Sequence, residues 1–188
     1  MTDREKLVNA LGKTAWAYVF LYFKINLFGL TLLPDWIGWL LLWNALLVLP
    51  KEVPTARLLQ TPAQLLLFWE AGSALLGWLG LDVSLGRANG LLGAAALVLA
   101  ALYLYVNFQL FTDLALLADR FGCSQGRHLR VLRVIHLLVP TTMTLPYLQQ
   151  LEWFYWLAAA LQMIGLVWTC VTLFSLRKTL AVQNEASE

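Results

Sequence analysis

The chain has 188 residues, 60% of them hydrophobic and 13% charged, with a formal net charge of +2. Soluble domains carry roughly 45–50% apolar and about 25% charged residues, so this excess excludes an ordinary soluble core. A charge this small, with aromatics kept inside or at the ends of apolar blocks rather than between Lys and Arg, excludes a nucleic-acid surface.

The first residues, Met1-Thr2-Asp3-Arg4-Glu5-Lys6, mix acids and bases and lead into an apolar block without a small-residue cleavage site. This predicts a retained first span rather than a removable signal peptide. Thr2 and Glu5 fit a capping box, and Leu7, Val8 and Leu11 share a face, so a short interfacial helix is expected to enter that span. Six apolar segments follow, at 14–33, 36–49, 62–81, 88–111, 131–147 and 153–176. Five are long enough to cross a bilayer, which takes about 17–25 residues. The segment 36–49 is short. Pro34 lacks an N–H and Asp35 is a helix-capping residue type, so the first two segments are expected to form a hairpin.

Lys and Arg in short loops mark the cytoplasmic side. With six crossings from a cytoplasmic N-terminus, the inside carries Arg4, Lys6, Lys13, Lys51, Arg57, Arg120, Arg127, Arg130, Arg133, Arg177 and Lys178, and the outside only Arg87. If 36–49 re-entered instead, everything after it would invert, leaving Arg4, Lys6, Lys13 and Arg87 inside and eight basic residues outside. The sequence therefore predicts an all-α, polytopic membrane helical bundle: one integral membrane domain over residues 1–188, six transmembrane helices and both termini cytoplasmic. Segment 36–49 then crosses in a thinned or protein-surrounded region, or its helix continues past Pro50. Trp36, Trp39, Trp153, Tyr155 and Trp156 fall near the outer boundary, where amphipathic rings favour the headgroup layer.

Residues 113–122 read as a helical extension of the fourth segment that stops at Gly122, with Leu114, Leu117 and Phe121 on one face. Arg127, Arg130 and Arg133 then recur every third residue, a candidate contact for anionic lipid as well as a topology signal. Gly86, Gly90 and Ala94, and Ser73 and Gly77, have the spacing that lets helix backbones approach. Cys123 and Cys170 sit where a disulfide does not normally form, and without CxxC or HExxH there is no metal framework.

The hairpin Ile25-Asn26-Leu27-Phe28-Gly29-Leu30-Thr31-Leu32-Leu33-Pro34-Asp35-Trp36-Ile37-Gly38-Trp39 resembles small, mostly uncharacterised bacterial multi-pass membrane proteins with an N-terminal LPD-aromatic-IG-aromatic signature. The match covers these fifteen residues, with Leu33 to Gly38 as its core and Trp39 in place of the expected Tyr. The resemblance implies a bacterial inner-membrane location and supports the hairpin. It implies no activity, substrate or catalytic residue.

Ionisable side chains inside a span cost about 2.5–3.5 kcal/mol at the helix centre, so each needs an explanation. At about 1.5 Å per residue from the predicted inner boundary, Lys24 lies about 15 Å deep, Glu70 about 12 Å, Asn44 and His136 about 8 Å and Asn107 about 6 Å. Gln162 falls near the midplane. One reading is a polar pocket open to the cytoplasm, with Lys24 and Glu70 as its charged pair and Asn44, Asn107, Gln109 and His136 lining it. The other is that Lys24 snorkels, Glu70 is protonated or pairs with Lys24 to fix helix register, and the amides bond neighbouring helices.

Ser73 and Ser175 have no partnered base, and the loops are too short for a catalytic domain. The expected function is a non-enzymatic membrane component without a cofactor. It would act through the lipid bilayer, another membrane protein or a second copy of itself. A small-solute, ion or proton transporter component using the polar pocket is the alternative, and an intramembrane enzyme the second alternative.

Overall fold

The computed structural model describes residues 3–22, 26–27, 30–31, 34–79, 91–143, 148 and 151–185. They form α1 (Asp3–Tyr22), a two-stranded antiparallel pair β1 (Asn26–Leu27) and β2 (Leu30–Thr31), α2 (Asp35–Leu46), 3₁₀ segments at Leu49–Lys51 and Pro54–Leu59, α3 (Gln60–Trp78), α4 (Leu91–Arg120), α5 (Gln125–Met143) and α6 (Glu152–Glu185).

The segment 14–33 is not one helix. α1 is described through Tyr22, and the strands set Asn26 opposite Thr31 and Leu27 opposite Leu30. Hydropathy marks a buried segment but not its backbone class; Asn and Thr are weak helix formers, and a short apolar run suits helix or strand. The N-terminal turns expected at an interface belong to α1, and Leu7 and Leu11 are buried in the bundle. Thr2, the expected cap, lies outside the described residues.

α2 has 12 residues, about 18 Å against a hydrocarbon layer of about 30 Å. It does not continue past Pro50: the chain tightens into 3₁₀ turns at Leu49–Lys51 and Pro54–Leu59, because Pro50 and Pro54 have no N–H for an α-helical ladder. Pro34 takes the N-cap position without a side-chain bond, and Asp35 is the first helical residue, its charge facing the positive helix end instead of capping it. One face of this short helix is buried, at Gly38, Trp39, Leu42, Ala45 and Leu46. A Cβ at Gly38 would lie 2.7 Å from Leu21 Cγ and 2.9 Å from the Ala17 carbonyl oxygen. The glycine is there because the α1 backbone passes so close.

α4 runs through the expected extension to Arg120, burying Leu114 and Leu117. Gly122, at φ 66°, ends it: its N–H reaches the Asp119 carbonyl at 3.0 Å and the Cys123 N–H the Ala118 carbonyl at 2.8 Å, a Schellman closure. Of the small-residue pairs, Gly86 and Gly90 lie outside the described residues. At Gly77 a Cβ would meet nothing within 4 Å, so that spacing seats no neighbouring helix among the described residues.

α1 packs on α2 and α6, α2 on α3, α4 on α5, and α5 on α6. Partners run antiparallel: Gly12 faces Arg177 and Trp16 faces Phe174, Asp119 pairs with Arg130, Thr112 with Arg133, and Gln125 with Thr179. The start of α1, the α2–α3 connection, the end of α4, the start of α5 and the end of α6 therefore share one end of the bundle. Arg120 bridges Glu52 at 3.0 Å there.

Beside it, the Thr55 hydroxyl donates to Asp113 Oδ1 at 2.7 Å, and Gln109 Nε2 to the same oxygen at 2.9 Å. Asp113 is buried, and its Oδ2 has no partner among the described residues. Thr55→Val should therefore lower stability by about 1.5–3 kcal/mol, as expected for a hydrogen bond to a charged group. Equilibrium unfolding in detergent measures it, and an unchanged midpoint would show that the bond does not hold the connection to α4.

The bundle has a mostly apolar core with a few polar groups in it, and it also exposes large apolar side chains. Thr14, Asn107, Asp113, His136, Thr169 and Thr172 are buried, whereas Leu79 and Leu97 are each 74% exposed, Trp78 70% and Trp156 69%. Among the described residues two helices are long and apolar enough to cross a membrane, α4 over Gly93–Arg120 and α6 over Glu152–Gln183. By the same measure α2 is too short, and α1 and α5 each carry three or more charged residues.

Candidate functional site

Tyr18 and Tyr22 are one turn apart on α1, and Tyr103 and Asn107 one turn apart on α4, so each pair shares a helix face. Because the helices run antiparallel, Tyr18 meets Asn107 and Tyr22 meets Tyr103. His136 enters from α5 and Thr169 from α6. The Tyr18 hydroxyl donates to Asn107 Oδ1 at 2.8 Å, and Asn107 Nδ2 to the Tyr103 carbonyl at 2.9 Å. The Tyr103 hydroxyl donates to that of Tyr22 in a short bond, and Tyr22 reaches His136 Nδ1 at 3.4 Å. On the other side of the ring, His136 Nε2 lies 2.9 Å from Thr169 Oγ1, whose hydroxyl donates to the Gly165 carbonyl at 2.8 Å.

The bond directions follow from that last contact. Thr169 has given its proton to a backbone carbonyl, so it accepts from Nε2–H; Nδ1 is then the acceptor for Tyr22, and Tyr22 accepts from Tyr103. Every donor in the chain from Tyr103 to Gly165 has one target. The imidazole stacks on Phe111 at 5.1 Å between ring centroids, with Tyr18 and Tyr22 at 6.1 and 5.7 Å. His136 is 2% exposed, Asn107 4% and Tyr18 1%.

Of the six residues expected to form a charged pocket, the structure brings Asn107 and His136 into one network. Asn44 turns back on its own helix, its Nδ2 donating to the Leu40 carbonyl at 2.9 Å. Gln109 belongs to the Asp113 cluster. Glu70 is half-buried on α3, and Lys24 lies outside the described residues. The arginines are not one uniform stripe: Arg127 is exposed, and Arg130, also exposed, pairs with Asp119. Arg133 bonds Thr112 at 3.1 Å and lies 4.8 Å over the Phe108 ring.

Sequence reasoning missed Tyr18, Tyr22, Tyr103 and Thr169. The signal was the four-residue spacing of Tyr18 with Tyr22 and of Tyr103 with Asn107, on two aromatic stretches that look alike. Hydroxyls and one imidazole, each spent on a neighbour, link α1, α4, α5 and α6 without a charged side chain in the chain of bonds. The network can fix the mutual rotation of four helices. Among the described residues no three His, Cys, Asp or Glu side chains are grouped to hold a metal ion. No family model, curated protein or solved structure matches this chain.

Proposed function

We propose that the chain is a six-span protein of the bacterial cytoplasmic membrane, with both termini in the cytoplasm, that acts without catalysis through lipid or another membrane protein. The observation that carries this reading is the sorting of side chains: the buried polar groups around His136 are bonded to one another, and the outer surfaces of α3, α4 and α6 are apolar. A surface of that kind offers contacts to lipid tails and to other helices. The division of Lys and Arg supports the orientation, and the hairpin resemblance supports the bacterial membrane. A carrier built on Lys24, Glu70, Asn44 and Gln109 draws less support, since Asn44 and Gln109 bond elsewhere.

Reporter fusions after Leu59, Gln125 and Glu188 are expected to read cytoplasmic, and those after Asp35, Leu85 and Gln149 external. A cytoplasmic reading after Leu85 with an external one after Gln125 would show that 36–49 does not cross.

A further inference from the structure

Arg133 comes off α5 toward α4, one turn further into the bundle than Arg130. Its Nη1 donates to Thr112 Oγ1 at 3.1 Å, and Thr112 accepts because its own proton goes to the Phe108 carbonyl at 2.8 Å. The guanidinium carbon stands 4.8 Å from the centre of the Phe108 ring. A hydroxyl and an aromatic face thus hold the group in place. Neither neutralises it.

No carboxylate on these two helices does so either. α5 has no acidic residue, and both acids of α4 are taken, Asp113 by Thr55 and Gln109 and Asp119 by Arg130. Arg133 is half-buried, and its Nε is enclosed without a partner. Nη2 is not enclosed and has no protein partner among the described residues, so it is the donor left for an anion from outside. A charge drawn part-way out of water costs free energy until such an anion meets it.

The surroundings select the anion. Tyr105 and Phe108 precede Thr112 at helical spacing on α4, Val134 and Leu138 follow Arg130 at four-residue intervals on α5, and all four are exposed. The cation therefore heads an apolar strip, which suits a headgroup with acyl chains rather than a soluble anion. Arg127, also at this end of α5, adds a second exposed positive charge. With Asp113 and Asp119 engaged, neither helix offers a free carboxylate to the ammonium of a zwitterionic headgroup.

We propose that the α4–α5 groove binds an anionic phospholipid of the inner leaflet, its phosphate accepting from Arg133 Nη2 and its chains lying over Tyr105, Phe108, Val134 and Leu138. The proposal rests on the reading that α4 and α5 lie in the membrane, with Arg133 near its cytoplasmic face.

The test uses the full chain in nanodiscs of phosphatidylglycerol and phosphatidylcholine in equal amounts, with native mass spectrometry counting the lipids that stay bound. The parent protein is expected to retain phosphatidylglycerol over phosphatidylcholine, and Arg133→Gln to lower that preference about fivefold. Arg127→Gln removes the same charge from an exposed position, where water and salt screen it, and should lower the preference by less than about twofold. Phe108→Leu keeps the charge but takes away the ring that holds it, and should lower the preference about two- to fivefold. Unfolding midpoints in detergent show which variants fold; if Arg133→Gln does not, Phe108→Leu decides. Equal losses at Arg127 and Arg133 would mean a diffuse positive field, and an unchanged preference in folded Phe108→Leu would mean that the ring does not position the charge; either overturns the proposal. So would displacement of phosphatidylglycerol by an equal concentration of inorganic phosphate, which would make the ligand a free anion. If reporters after Gln125 and Gln149 read opposite sides and Arg133→Gln keeps the preference, the groove assignment fails alone. If they read the same side, the bilayer reading fails first.

Discussion

Gly38→Leu is expected to abolish the folded protein, and Gly38→Ala to lower its stability. The Cβ of even alanine would sit 2.9 Å from the Ala17 carbonyl oxygen, a backbone atom that moves only if α1 moves. Overpacking of this kind costs about 1–3 kcal/mol, offset by about 1 kcal/mol for replacing glycine in a helix. Leucine adds three more carbons to the same contact. Gly72 on α3 is the control, since a Cβ there meets nothing within 4 Å; Gly72→Ala should gain up to about 1 kcal/mol. Thermal unfolding in detergent separates the two. Equal responses at Gly38 and Gly72 would mean that α1 and α2 do not touch there.

The second large effect is expected at Asn107. Asn107→Leu leaves the Tyr18 hydroxyl, in a side chain 1% exposed, without its acceptor. A buried group stranded in this way costs about 1–3 kcal/mol. Tyr18→Phe removes the donor and strands Asn107 Oδ1 instead, at similar cost. The double variant strands neither, so it should be more stable than the sum of the single losses implies, with a coupling of about 1–2 kcal/mol. Simple additivity in equilibrium unfolding would show that the two side chains do not meet.

The end of α4 was legible in the sequence because it is set locally. A helical run closing at Gly122 needs only a residue that accepts a left-handed backbone, and the Schellman bonds follow. The end of α1 was not. From Thr14 to Leu33 the sequence is mostly apolar, and hydropathy does not mark where a helix gives way to the pairing of Asn26–Leu27 with Leu30–Thr31.

The candidate site was legible in part for a related reason. Depth along a span ranks polar residues by what burial would cost, and two of those it ranked, Asn107 and His136, are buried and share one network of hydrogen bonds. Depth does not say where an amide turns, and Asn44 and Gln109 find partners on their own helices. The tyrosines were passed over because such rings usually belong to the headgroup layer, whereas Tyr18 and Tyr22 use their hydroxyls inside the bundle.

The bonds that run from Tyr103 through Tyr22 and His136 to Thr169 have a second possible order. If the imidazole proton moved from Nε2 to Nδ1, the ring would donate to Tyr22, which would have to turn its own proton away from the ring. Thr169 would have to release the Gly165 carbonyl and donate to Nε2. A ring that changed tautomer while Thr169 kept its bond to the Gly165 carbonyl would set two acceptors, Nε2 and the Thr169 oxygen, against each other. The tautomer of His136 and the direction of the Thr169 hydroxyl are therefore tied to one another. A backbone carbonyl on α6, that of Gly165, is in this way the group that selects the tautomer of an imidazole carried by α5.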